Sequence, residues 1–337
     1  MNNSLVLFKH YEETTSAPFA FKAVFSVVIA LIALISIIGN ILVVITFVGT
    51  ESLRISTNYY ITSMAVSDVL YVATKLPLYI SSRRSLFGHS VTLFQCKLGM
   101  FVRLVSYSVS VASLVLITVD RFVAIVFPMK VVMITRRLRA VLIFLSWILS
   151  IGIFAPILYF TTLSETLDEV NLCPFEGGNS AFIYIIIVFV LLYCAPLIVI
   201  IILNTRIMKS LKRTNPAIQG ISHSNLRRKQ NQRITKILLT ITITFVICWT
   251  LFYIEMFLLT FLKRVLRRSI REMVHIFCYY FLSFVSTAVN PLILFSFSTK
   301  YRQGLKNCLR LAVSKCHLCI VQDEVVRQEN VELPELQ

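Results

Sequence analysis

Acid is scarce in this chain: sixteen Asp and Glu stand against thirty-three Lys and Arg, a formal charge of +17. Charged residues of both signs make up only 15% of 337 positions. A soluble domain carries about 25%, so an ordinary water-exposed surface is excluded. Nine Gly and nine Pro are too few for a low-complexity chain. H-E-x-x-H and G-x-S-x-G are missing, and His10, His89, His223, His275 and His317 are scattered without metal-ligand spacing. No enzyme and no catalytic cofactor are expected. The opening MNNSLVLFKHYEETTSAPFA has no basic segment leading into an apolar one, so no cleaved signal peptide is expected. The positive charge comes with no nucleic-acid-binding motif. It points to anionic lipid and cytoplasmic loops, not to nucleic acid.

What the chain has in abundance is apolar length. Hydrophobic residues make up 57%, and a helix needs about 20 of them in a run to cross a bilayer. Seven runs qualify, at roughly 23–49, 57–80, 95–126, 138–160, 181–207, 234–261 and 272–298. Basic residues gather after the third run (Lys130, Arg136, Arg137, Arg139), after the fifth (Arg206 to Arg233) and after the seventh (Lys300, Arg302, Lys306, Arg310). The connector after the fourth is acidic, with Glu165, Asp168, Glu169 and Glu176. The positive-inside rule puts the N-terminus outside. The basic loop at 262–271 dissents: it would lie outside, as a snorkelling helix extension or a steering patch for acidic ligands. The expected protein is all-α and multi-pass in the plasma membrane. Residues 1–22 are an extracellular segment, 23–298 a seven-transmembrane helix bundle, and 299–337 a cytoplasmic amphipathic helix and tail.

This orientation sorts the cysteines. Cys96 and Cys173 alone fall in an oxidising compartment and form the natural disulfide pair. Cys308, Cys316 and Cys319 follow the last span beside a basic amphipathic stretch and suit palmitoylation, or remain free thiols. Asn2 opens a glycosylation sequon, Asn2-Asn3-Ser4.

Polar residues inside spans are costly and mark function. Asn40, Asp68, Ser110, Ser286 and Asn290 fall in the middle or inner half, where they could gather around Asp68 and a small cation. Arg103, Tyr107, Ser110 and Arg121 return to one face of the third span. That face runs from an outer polar site, through the middle, to the adjacent pair Asp120–Arg121. Eighteen residues separate its two arginines, about 27 Å along a helix.

These residues carry a resemblance. GNILVV at 39–44, SMAVSDVLY at 63–71, VDRFVAI at 119–125, Trp147, Pro196, FVICWT at 245–250 and STAVNPLIL at 286–294 resemble, in order, the span motifs of the rhodopsin-like G-protein-coupled receptors. Cys96 and Cys173 match the family disulfide. The resemblance implies that Asp120 and Arg121 form the switch that engages a heterotrimeric G protein. It makes Asp68, Ser110 and Asn290 an allosteric sodium site, and Trp249 the floor of the ligand pocket. The sequence also departs from the pattern. Phe122 replaces the tyrosine of the D-R-Y box, and Leu251 the proline of C-W-x-P. Leu294 replaces the tyrosine of N-P-x-x-Y, and Asn204 a tyrosine of span five. Asn231 stands where span six would offer an acid to Arg121.

Arg103 stands where amine receptors place an aspartate, and Phe284 where opsins carry the retinal-binding lysine. Only about twenty residues precede span one, too few for the outer domain of a glycoprotein-hormone receptor. Lys75 and Arg103 are expected to form a cationic site, walled by Tyr107, Phe252, Tyr253 and Tyr280, with Glu255 in the same pocket; the alternative is an internal salt bridge from Glu255 to one of the cations. A short neuropeptide is the favoured ligand and a lipid or small carboxylate the second reading. A transporter or channel is the alternative from another class, opposed by the lack of repeats and broken helices.

Overall fold

The computed structural model describes residues 19–54, 56–82, 92–163, 173, 178–213, 222–262 and 268–310. Asn2, Cys316, Cys319 and residues 263–267 of the basic outer loop lie outside the described residues. The helices are α1 (Phe19–Gly49), α2 (Ser56–Ser82), α3 (Leu93–Val126) and α4 (Arg136–Phe154, resumed at Ile157–Phe160). Then come α5 (Gly178–Phe189 and Ala195–Arg213), α6 (Ser222–Leu262), α7 (Arg268–His275 and Leu282–Phe297) and a last helix α8 at 299–310.

Local chemistry sets several ends. Thr92 and Gln95 cap α3 reciprocally: the Thr92 hydroxyl accepts from the Gln95 amide, and the Thr92 amide donates to Gln95 Oε1 at 2.9 Å. Thr135 caps α4 through the Leu138 amide. Helix α4 is interrupted at Pro156, which has no N–H to continue the hydrogen-bond ladder. The sixth helix starts about twelve residues before its apolar run, because nothing in hydropathy marks where a helix leaving the bilayer ends.

Among the described residues, six of the helices α1–α7 are long and apolar enough to cross a membrane; α2 is not among them. Its hydropathy is lowered by Thr57, Asn58, Ser63, Ser67, Asp68 and Lys75, all of them buried in the bundle. Helix α3 is central and packs against α2, α4, α5 and α6, while α1 lies between α2 and α7. Close approach of α1 and α7 requires Gly39, where an added Cβ would sit 2.8 Å from Pro291 Cγ. Likewise α8 seats on the inner end of α1 at Gly304, where a Cβ would meet Thr46 Cγ2 at 2.8 Å.

Two spans contain a π turn, Val190–Cys194 in α5 and Ile276–Phe281 in α7. Each adds a residue to a helical turn and shifts the faces that follow. The first lies just before Pro196, which has no N–H for the carbonyl of Leu192 four residues earlier. The Tyr107 hydroxyl donates to that carbonyl at 3.4 Å.

Candidate functional site

Three linked polar sites descend through the bundle. The outermost lies between α2, α3, α6 and α7. Lys75 is fully buried, and its ammonium donates to Tyr71 Oη at 2.9 Å, the Tyr279 carbonyl at 2.6 Å and Ser283 Oγ at 2.7 Å. An ammonium has three N–H donors, so neutral acceptors use all of them. Its Nζ also lies 4.1 Å from the centroid of the Tyr279 ring. Arg103 shares that ring at 5.2 Å and donates to Met100 Sδ. It is 5% exposed, and no carboxylate among the described residues pairs with it.

The alternative of a salt bridge from Glu255 to one of these cations gives way to a different pair. Glu255 Oε1 lies 2.8 Å from His275 Nδ1, joining α6 to α7. His275 sits one turn above Tyr279, so Glu255 meets it first, while Lys75 reaches the α7 backbone one turn deeper. The expected wall gains a ring. Tyr280 packs on Tyr79 of α2 at 4.6 Å and its ring centroid lies 5.4 Å from Lys75 Nζ, while Tyr279 stands between the two cations, stacked on His275 at 4.6 Å and on Phe252 at 5.5 Å. The π turn at Ile276–Phe281 moves the register by one residue, which a count at 3.6 residues per turn misses.

Below lies an aromatic layer. Tyr107 and Trp249 have ring centroids 4.0 Å apart, and Tyr107 Oη is 3.3 Å from Tyr253 Oη. Phe252 meets Trp249 edge-on at 5.2 Å. Tyr193 and Thr250 are joined through their hydroxyls, linking α5 to α6. Trp249 Nε1 donates to Ser286 Oγ at 3.2 Å and so roofs the next site.

That site is a cavity of about 20 Å³ lined by Asp68, Ser110, Trp249, Ser286 and Asn290, among others. A cavity needs about 10–15 Å³ to hold one water-sized species. Asp68 is 2% exposed; its Oδ1 accepts from Ser110 at 2.8 Å and its Oδ2 from Asn290 Nδ2 at 2.8 Å. A buried carboxylate held only by neutral donors, beside the hydroxyls of Ser110 and Ser286, fits a small hard cation. Asn40 does not join this cluster. It donates to the Ser36 carbonyl at 2.9 Å and the Thr287 carbonyl at 3.2 Å, tying α1 to α7.

The innermost site is the acid–base pair. Asp120 is 4% exposed, and its Oδ2 accepts from Arg121 Nη2 at 2.8 Å and from Thr57 Oγ1 at 2.9 Å. A second arginine, Arg139 of α4, brings Nε within 3.5 Å of Oδ1. Sequence reading missed Thr57 and Arg139, since both reach Asp120 from other helices. Phe122 packs edge-on against Phe127, and Leu294 is buried in the inner apolar core. The Asn231 side chain lies outside the described residues.

At the periphery, Cys96 and Cys173 are disulfide-bonded. Cys308 lies against α1: its Sγ is 4.0 Å from Thr50 Oγ1, and a Cβ on Gly49 would come within 2.6 Å of it.

Comparison with known proteins agrees with this arrangement. Residues 39–294 match the family model of the seven-transmembrane receptors of the rhodopsin family. Mouse (Mus musculus) neuropeptide FF receptor 2 is 27% identical over 87% of this chain and 74% of its own. Rat (Rattus norvegicus) neuromedin-U receptor 2 is 26% identical over 87% and 76%. Rat melanopsin is 28% identical over 61% of this chain and 44% of its own. Seven helices, the outer disulfide, the Asp68 cavity and the Asp120–Arg121 pair stand together in one bundle, and the chain belongs to the rhodopsin family of seven-transmembrane, G-protein-coupled receptors.

Proposed function

We propose that this receptor recognises a short extracellular peptide that carries an anionic group, and that Arg103 anchors that group. One observation carries the reading: Arg103 is a buried guanidinium whose partners among the described residues are a thioether sulfur and an aromatic face. A buried charge without a counter-ion is costly. A ligand carboxylate supplies the missing charge through a bidentate fork. Lys75 cannot share the task, because its three donors are committed inside the bundle. The relatives named as neuropeptide FF and neuromedin-U receptors favour a peptide over a lipid or small carboxylate.

The ligand's effect travels inward by contact. A group seated on Arg103 lies one turn above Tyr107, which touches Trp249, and Trp249 roofs the Asp68 cavity. Asp68, with Ser110, Ser286 and Asn290, would hold a sodium ion there, whose charge would steady the resting arrangement. Displacing Trp249 disturbs that site and frees Arg121 from Asp120 for the G protein.

The test is G-protein activation in cells expressing the receptor, challenged with short peptides as free acids and as amides, beside fatty acids. An acidic peptide should activate the parent and fail on Arg103→Glu, with surface expression confirmed. An unchanged dose–response curve in that variant would remove Arg103 from the pocket. Activation by fatty acids alone would replace the peptide reading.

A further inference from the structure

A second cavity opens among the inner ends of α2, α3, α6 and α7 and the start of α8, with a volume of about 410 Å³. That lies in the range of small-molecule sites, about 300–1,000 Å³. It is close to a single turn of helix, roughly 10 Å across and 5.4 Å high, so its resting size suits a small molecule better than a protein segment.

Its chemistry is divided. Ile237, Leu238 and Leu294 make an apolar side, and Leu294 stands where the family motif has a tyrosine. Arg121, Arg233 and Lys300 bring three cations to the wall, and no Asp or Glu among the described residues lines it. Ser298, Thr299 and Lys300 also line it, at the N-terminus of α8, where backbone N–H groups favour an anion.

A separate observation comes from Tyr301. It lines the same cavity and is 1% exposed, yet its hydroxyl has no hydrogen-bond partner among the described residues. Its ring is held edge-on against Phe295 at 6.1 Å. Burial pushes the phenol well above its ordinary pKa, so the hydroxyl stays protonated and offers a donor. Buried donors seldom go unpaired without a reason.

We infer that this inner cavity is a second ligand site, for an anionic amphiphile whose head group meets Lys300, Arg233 and the Tyr301 hydroxyl and whose short apolar chain lies along Leu238 and Leu294. The head group is a carboxylate or a phosphate monoester, from a free fatty acid or from a single-chain phospholipid of the inner leaflet. Arg121 forms part of the wall, so an occupied cavity holds the receptor at rest and competes with the G protein. The inference does not depend on the nature of the extracellular ligand.

The test uses the full-length receptor in phosphatidylcholine nanodiscs, with laurate, dodecyl phosphate and dodecanol as probes of one chain length and three head groups. Thermal stability and receptor-driven nucleotide exchange on the G protein are read together. At least one of the two anions should raise the melting temperature saturably and slow exchange, while dodecanol does neither. The stronger anion identifies the source, fatty acid or phospholipid. Tyr301→Phe, which removes one oxygen and keeps the ring, should weaken that anion about tenfold, as expected for a hydrogen bond to a charged group. The double variant Arg233→Gln, Lys300→Gln should abolish the preference over dodecanol. An equal effect of dodecanol, an unchanged affinity in Tyr301→Phe, or no saturable shift would each overturn the assignment. So would loss of the shift in Arg103→Gln, which would place the amphiphile in the outer pocket.

Discussion

Asp120 and Arg139 face each other across the inner ends of α3 and α4 at 3.5 Å, and the Arg139 Nε has no hydrogen-bond partner. The carboxylate is therefore flanked by two arginines and hydrogen-bonded to one, Arg121. Breaking a buried ion pair by removing one partner costs about 3–5 kcal/mol. Arg139 is placed to take over Asp120 when Arg121 leaves, which lowers that cost. Arg139→Gln should reduce both basal and agonist-driven nucleotide exchange, with Arg139→Lys in between. In an Asp120→Asn background the same substitution should change little. Higher basal exchange in Arg139→Gln would instead make this arginine part of the resting lock.

Lys75 and Arg103 should separate in experiment although the sequence pairs them. Lys75→Met removes a charged donor from Tyr71 Oη and Ser283 Oγ, each such hydrogen bond being worth about 1.5–3 kcal/mol, while the Tyr279 carbonyl keeps the Ser283 hydroxyl. Thermal melting of the purified receptor should fall by several degrees, while the preference for acidic over amidated ligands persists. Arg103→Gln should show the reverse: near-parent melting and no charge preference.

Sodium dependence is the signature of the middle site. Replacing sodium chloride with choline chloride should raise agonist affinity in the parent receptor. Asp68→Asn keeps the shape and removes the charge that would hold a cation, so its agonist affinity should be indifferent to that exchange. A sodium effect that survives the substitution would move the ion elsewhere.

The disulfide closes a long loop, with Cys96 and Cys173 separated by 77 positions. Loops of this size are stabilised by about 3–5 kcal/mol in the chain-entropy account. Cys96→Ser should lower surface expression and the melting temperature. Cys173→Ser should match it, and the double variant should be no worse than either.

The bundle could be read from the sequence because its strongest signals are long. Apolar runs, the asymmetry of Lys and Arg, and motifs in order across the spans each draw on many residues. Span two shows the limit, since Asp68 and Lys75 dilute its hydropathy while marking its function. Within the site, residues joined along one helix were legible: Arg103, Tyr107, Ser110 and Arg121 share the face that their spacing predicts. What failed was placement across helices and across irregular turns. Tyr279 joins Tyr280 beside the cations within a π turn, which no residue type announces. His275, Thr57 and Arg139 come from other helices to acids that spacing alone leaves without them.

Helix α6 runs unbroken from Ser222 to Leu262, with Leu251 where the family has its proline, and its sequence contains neither Pro nor Gly. Sharp kinks in helices almost always need such residues or a π bulge, so this helix turns as a rod. Trp249, bonded to Ser286 of α7, is a natural fulcrum. From there the rod reaches about 40 Å to its cytoplasmic end, at 1.5 Å per residue. By that lever, a tilt of about 10° at the tryptophan carries the far end roughly 7 Å sideways. The leverage comes from stiffness, where a proline would provide a joint.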